Sequence, residues 1–175
     1  ANPDGTAQPL GPDNEAIGIW QELFKSKGIT AGYVDNSPEK GMQNGRIFGY
    51  GTKKNWWSRV GVPAKMPFGE PGGPDSEIFY DFGQQHQLHE NSSFKDSPCH
   101  VNCDCGRFME IGNSVFMQYV KQEDGTFKEL VNKNIDFGGG LERITMASQD
   151  VSNVFDTDFF TPLILSLRPD TGASS

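Results

Sequence analysis

Apolar side chains recur at helical spacing near the start of the chain. Ile17, Ile19, Trp20, Leu23 and Phe24 make one stripe, Asp13 or Asn14 can cap it, and Gly28 stops it, which predicts a helix within 11–28. Residues 46–61 begin as a strand and run into an aromatic-rich loop. Residues 66–75 hold too much Gly and Pro for a helix. From residue 76 the period becomes two, with Ser76, Ile78 and Tyr80 on one face and Glu77, Phe79 and Asp81 on the other. The longest strand pattern covers 107–121. Met109, Ile111, Asn113, Val115, Met117 and Tyr119 share one face, and Phe108, Glu110, Gly112, Ser114, Phe116 and Gln118 share the other. Strict alternation therefore sets Glu110 opposite to Asn113, and Glu77 cannot be phased against it. Residues 123–126 carry the Asp-Gly signal of a hairpin turn, and short strands follow at 127–131 and 134–137. Helical spacing returns over 139–151, with Leu141, Ile144, Thr145 and Ser148 on one side. A last helix starts within 156–167, with Thr157 or Asp158 near its cap. Hairpin-linked strands followed by helices, without βαβ alternation, predict an α+β fold: an antiparallel sheet with helices packed on it.

The length of 175 residues suits one domain, and 35% hydrophobic residues with 13 Phe suit a globular one. No apolar run reaches the ~18 residues of a membrane span, and the polar start at 1–11 has no apolar signal core, so a soluble, cytoplasmic protein is expected. The net charge of -8 argues against a nucleic-acid backbone binder but leaves room for a local basic nucleotide pocket. Residues 83–106 are polar and lack apolar periodicity, a stretch longer than the ~12–15 residues usual for an unstructured loop, so something must hold it or it moves. It carries Cys99, Cys103 and Cys105, with His86, His89 and His100. Thiolates and imidazoles suit Zn²⁺, with Cys99, Cys103, Cys105 and His89 as the ligand set. The spacing is not that of a standard finger, and reduced thiols on a mobile loop are the alternative.

Asp136 closes a strand, then Gly138, Gly139 and Gly140 lead into a helix whose first turn holds Glu142 and Arg143. Free N–H groups and the dipole at such a helix entrance suit an anionic ligand, and glycine lets a flat group approach the backbone. Arg143 can reach back over that ligand with its planar guanidinium. The Gly-x-Gly-x-Glu-Arg core resembles the third signature motif of class II aminoacyl-tRNA synthetases. Asn55-Trp56-Trp57, the stretch from Gly72 to Asp81, the stretch from Gly106 to Tyr119 and the stretch from Ile135 to Ile144 are similar, in order and spacing, to the catalytic domain of the alanyl-tRNA synthetase family.

The resemblance implies that Asn113 and Asp136 hold alanine, with Trp57 walling the pocket and Gly138 beside them. It assigns Arg143 to the adenine of ATP, with Gly140 carrying the backbone approach and Glu110 and Glu77 near ATP or its Mg²⁺. It implies carboxylate attack on the α-phosphorus of ATP, then transfer of alanine to tRNA(Ala). A small pocket cannot cleanly reject glycine or serine, because one group is worth only ~1–3 kcal/mol. Trp56 reads as core. The family's first two motifs, including the arginine that grips the α-phosphate, have no counterpart here. The chain is therefore expected to be the C-terminal half of a catalytic domain, inactive alone, whose partners are alanine, ATP, tRNA(Ala) and the rest of a synthetase. A non-catalytic adenylate-binding module is the other reading. Gly72 stands where many relatives have Cys, Gly112 where they have Trp, and Phe137-Gly138-Gly139-Gly140 where they have Thr-Gly-Met-Gly.

Overall fold

The computed structural model describes residues 11–167; the polar start at 1–10 lies outside them. Helix α1 (Asn14–Ser26) begins where Asp13 accepts the Ala16 N–H at 3.0 Å, so Asp13 is the cap. Its Trp20 indole N–H donates to Ser76 Oγ at 2.8 Å, which seats the helix against the main sheet. A small parallel pair follows, β1 (Tyr33–Asp35) with β2 (Ile47–Gly49), joined through the one-turn helix α2 (Ser37–Lys40). The period-two pattern gave no sign of β1, because three residues are too few to show one.

The main sheet is antiparallel, as expected. Strand β3 (Pro71–Gly72) and strand β4 (Asp75–Asp81) flank one side of β5 (Phe108–Lys121), and β6 (Phe127–Gly139) flanks the other. The β5–β6 turn is tight because Gly125 adopts φ 82° and Asp124 accepts the Thr126 N–H at 2.9 Å. Two expectations are corrected here. The segments 127–131 and 134–137 are one strand, with Gly138 and Gly139 paired inside it, because Asn113 and Gly112 supply the opposing backbone. The last helix, α4 (Thr161–Leu167), starts later than expected. Thr157 is buried, and its hydroxyl donates to Val154 O, ending a 3-10 turn (Val154–Asp156) instead of capping a helix. Helix α3 (Leu141–Gln149) lies inside the expected 139–151 span and starts later because Gly139 is paired in β6.

The core is thin. Trp56, Met66, Phe82, Val115 and Met146 are buried around the sheet, and Trp56 stacks on Tyr119 and meets Phe127 edge-on at 5.3 Å. Trp56 is thus a core residue, as read from the sequence. By contrast β6 and α3 leave Val131, Ile135, Phe137 and Leu141 exposed. Among the described residues no helix is long and apolar enough to cross a membrane.

Candidate adenylate site on the sheet face

Register decides which side chains share a face. Glu77 pairs with Asn113, and Asn113 pairs with Gly138, so these three form one row across β4, β5 and β6. Asp75 pairs with Val115, and Val115 with Asp136, forming the next row on the same face. Asn113 and Asp136 are therefore diagonal neighbours, at a spacing of ~7–8 Å in such ladders. That gap admits a small zwitterion between an amide and a carboxylate. Strict alternation misplaced Glu110, and the register supplies the phase that the sequence lacked for Glu77. The register shifts between Ile78 and Phe79, so that Ile78 faces Gly112 but Phe79 faces Glu110, and Ile111 is the extra residue of a bulge. The bulge turns Glu110 onto the face of Asn113, and Glu77 was on that face already.

Asn113 is held from behind. Its Nδ2 donates to Asp75 Oδ2 at 3.2 Å, and Asp75 Oδ1 accepts from Asn55 Nδ2 at 2.5 Å. Asn55 Nδ2 also donates to the Asp75 carbonyl. Because a carboxylate accepts and does not donate, this contact fixes which end of the Asn113 amide is the NH₂. Asn113 Oδ1 is then buried without a partner. An orphaned acceptor of this kind costs about 1–3 kcal/mol unless a ligand hydrogen reaches it. Burial pushes the Asp75 carboxyl up, and the hydrogen bonds from Asn55 and Asn113 oppose that rise. Glu77 is pushed up to about 7 by burial first and then by the charges of Asp75 and Glu110, with Lys54 opposing. Asp136 is exposed. Its Oδ1 accepts the Phe137 N–H at 2.9 Å, and among the described residues it has no cationic partner.

Across this face from the carboxylates, α3 opens at Gly140, whose extended backbone offers no side-chain cap. The aliphatic stem of Arg143 folds back over Gly140, so that a Cβ there would lie 3.4 Å from Arg143 Cδ. The Arg143 guanidinium donates to Glu110 O at 3.1 Å and lies 3.4 Å from Glu110 Oε2. A cavity of about 330 Å³ opens there between Glu110, Arg143, Met109 and Phe108. A Cβ on Gly138 would meet nothing within 4 Å, leaving the space beside Asn113 open. Trp57 is 40% exposed and bridges Gly73 through two backbone hydrogen bonds of 2.9 and 3.1 Å. Gly73 must be glycine, since a Cβ would strike the Phe116 carbonyl.

The departures at 112, 137 and 139 explain one another. A Cβ on Gly112 would lie 2.9 Å from the Phe137 ring, and one on Gly139 would lie 3.2 Å from it. Phe137 thus occupies the space that a side chain at 112 would need. All three positions lie on the face opposite Asn113 and Asp136. Likewise Met66 and the Trp57 carbonyl lie 2.9 Å from a Cβ placed on Gly72.

The residues expected as zinc ligands also converge. Ligand atoms of His89, Cys99 and Cys105 lie within 4.8 Å of one another, and Cys103 Sγ lies 3.6 Å from His89 Nδ1. All three cysteines are free. Sequence reading missed Asp75 and Asn55. Their signal was an acidic residue one step before the β4 pattern and an Asn before two Trp, both ordinary in loops.

Comparison with known proteins places the sequence in a family. The sequence profile of the class II (A) tRNA synthetases matches residues 18–173. The alanine--tRNA ligase of Elusimicrobium minutum is 46% identical over 152 residues, which are 87% of this chain and 14% of that protein. Those of Borrelia hermsii and Petrotoga mobilis are each 34% identical, over 91% and 89% of this chain and 22% and 15% of their own lengths. The chain thus spans between 14% and 22% of the length of these curated relatives. With a family profile covering nearly all of its residues and the family's strand-to-helix motif in place, the chain belongs to the class II (A) tRNA synthetases.

Proposed function

We propose that this chain forms the alanine and adenosine side of the adenylation site of an alanine--tRNA ligase. The observation that carries the reading is the Asn113 amide. Asp75 holds its NH₂, its oxygen is buried without a partner, and Gly138 leaves open space beside it. An α-ammonium supplies the missing hydrogen, and Asp136 one row away supplies the opposing charge. Trp57 closes the pocket against larger side chains. Arg143 and the open entrance of α3 at Gly140 take the adenosine, the guanidinium lying on the purine face.

The reaction joins the alanine carboxylate to the α-phosphorus of ATP, expelling pyrophosphate, and then passes alanine from the adenylate to the terminal adenosine of tRNA(Ala). Positioning and charge neutralisation carry it, with little covalent work for the protein. ATP acts as its Mg²⁺ complex, and the crowding of Asp75, Glu77 and Glu110 fits a hard cation, which neutralises phosphate charge when bound. Glu77 and Glu110 would hold it.

Calorimetric titration with a non-hydrolysable sulfamoyl analogue of alanyl-adenylate tests this reading. Binding by the wild type and its loss in Gly138→Val, which fills the open space, support it. Equal binding of the analogue by both proteins, or none by the wild type, refutes it.

A further inference from the structure

Residues 83–106 join β4 to β5 with almost no regular structure beyond a 3-10 turn at Gln84–His86. The buried residues of this segment are His89, Cys103 and Cys105 and no others. A loop of this length ordinarily tucks in hydrophobic side chains. This one tucks in an imidazole and two thiols, with a third thiol, Cys99, half-buried against them.

The tautomer of His89 is settled by its surroundings. Nε2 lies 3.0 Å from the Ser97 carbonyl oxygen, which only accepts, so Nε2 carries the hydrogen and Nδ1 presents a lone pair. That lone pair faces Cys103 Sγ at 3.6 Å, and the ligand atoms of Cys99 and Cys105 lie within 4.8 Å of His89 and of each other. A tetrahedral zinc with Zn–S of about 2.3 Å and Zn–N of about 2.0 Å has ligand-to-ligand edges of ~3.5–3.8 Å. Cys103 is close to His89 but stands outside the set of three, so metal binding has to draw its thiol inward as the fourth ligand. The nearby His100 is otherwise engaged, its Nδ1 meeting Tyr50 Oη at 2.8 Å, and His86 is exposed.

We propose that His89 Nδ1 and the thiolates of Cys99, Cys103 and Cys105 form a closed four-ligand zinc site that fixes the 83–106 segment. Binding of one Zn²⁺ releases the three thiol protons and leaves the centre with a net charge of minus one. Arg107, which contacts Cys99 and forks onto Asp81 at 2.7 and 2.8 Å, offsets that charge and ties the site to the end of β4. With all four positions filled by protein, the metal has no place for substrate. Its role is to hold the loop.

The test is elemental analysis of the chain, grown with zinc and purified without chelators or metal resin. The site predicts one zinc per chain in the wild type and in His100→Ala, and at least a ~10-fold loss of zinc affinity in His89→Ala and Cys105→Ser. Cobalt replacement in the wild type covers the case of variants that do not fold. It should give sulfur-to-cobalt charge transfer and the intense visible bands of tetrahedral coordination. Zinc well below one per chain, full zinc retention in Cys105→Ser, a disulfide among the three cysteines, or a weak octahedral cobalt spectrum would overturn the site.

Discussion

Glu77 gives the sharpest test of how the sheet face is charged. Its carboxyl is raised from an ordinary value of 4.5 to about 7 by burial and by the neighbouring charges of Asp75 and Glu110. A raised acid means that folding takes up a proton between those two values, so this group lowers stability as pH rises through that window. Each pH unit of displacement is worth ~1.4 kcal/mol. The full displacement therefore has a ceiling of about 3 kcal/mol, and the partial solvent access of Glu77 reduces it to about 1–2 kcal/mol. Glu77→Gln keeps the shape and removes the charge. At pH 8 without Mg²⁺ the variant should be more stable than the wild type by that amount, raising Tm by roughly 2–8 °C. Near pH 4.5 the two should melt together. Thermal and urea unfolding across pH 4.5–8 measure both. A difference that does not change with pH, or a variant less stable at pH 8, would show that Glu77 is not held among like charges.

Removing the Asp75 carboxyl by Asp75→Ala frees the Asn113 amide to flip. In a full-length ligase carrying this segment, KM for alanine in ATP–pyrophosphate exchange should rise about 5- to 30-fold, with KM for ATP unchanged. Gly112→Trp drives an indole into Phe137. It should cost about 1–3 kcal/mol in urea unfolding and be largely rescued by Phe137→Thr, whereas additive effects of the two changes would deny that they share one space.

Long periodic segments were legible in advance. The fourteen-residue β5 and the amphipathic α1 carry enough repeats for burial to leave its signature, and Asp13 and Gly125 mark a cap and a turn whose chemistry is local. What escaped notice depends on contacts distant in the chain. One bulge residue, Ile111, moves Glu110 to the other face, and no window of sequence reveals it. Asp75 has meaning only through Asn113, 38 positions away, and Asn55, 20 positions away. The paired glycine and phenylalanine changes at 112, 137 and 139 read separately as departures and become one substitution only when the β5–β6 register is known. The Cys/His set was visible as composition, but its convergence follows from turns that the spacing does not encode.

The central claim is that Asn113 and Asp136 seat the ammonium of alanine while Arg143 serves adenosine. It is met most directly by steady-state exchange kinetics of Asp136→Asn in a full-length ligase carrying this segment. The arrangement predicts a rise of about 10- to 100-fold in KM for alanine, the worth of one charge-assisted contact, and a KM for ATP within about 2-fold of the wild type. An unchanged alanine KM, or an equal rise in both constants, would contradict it.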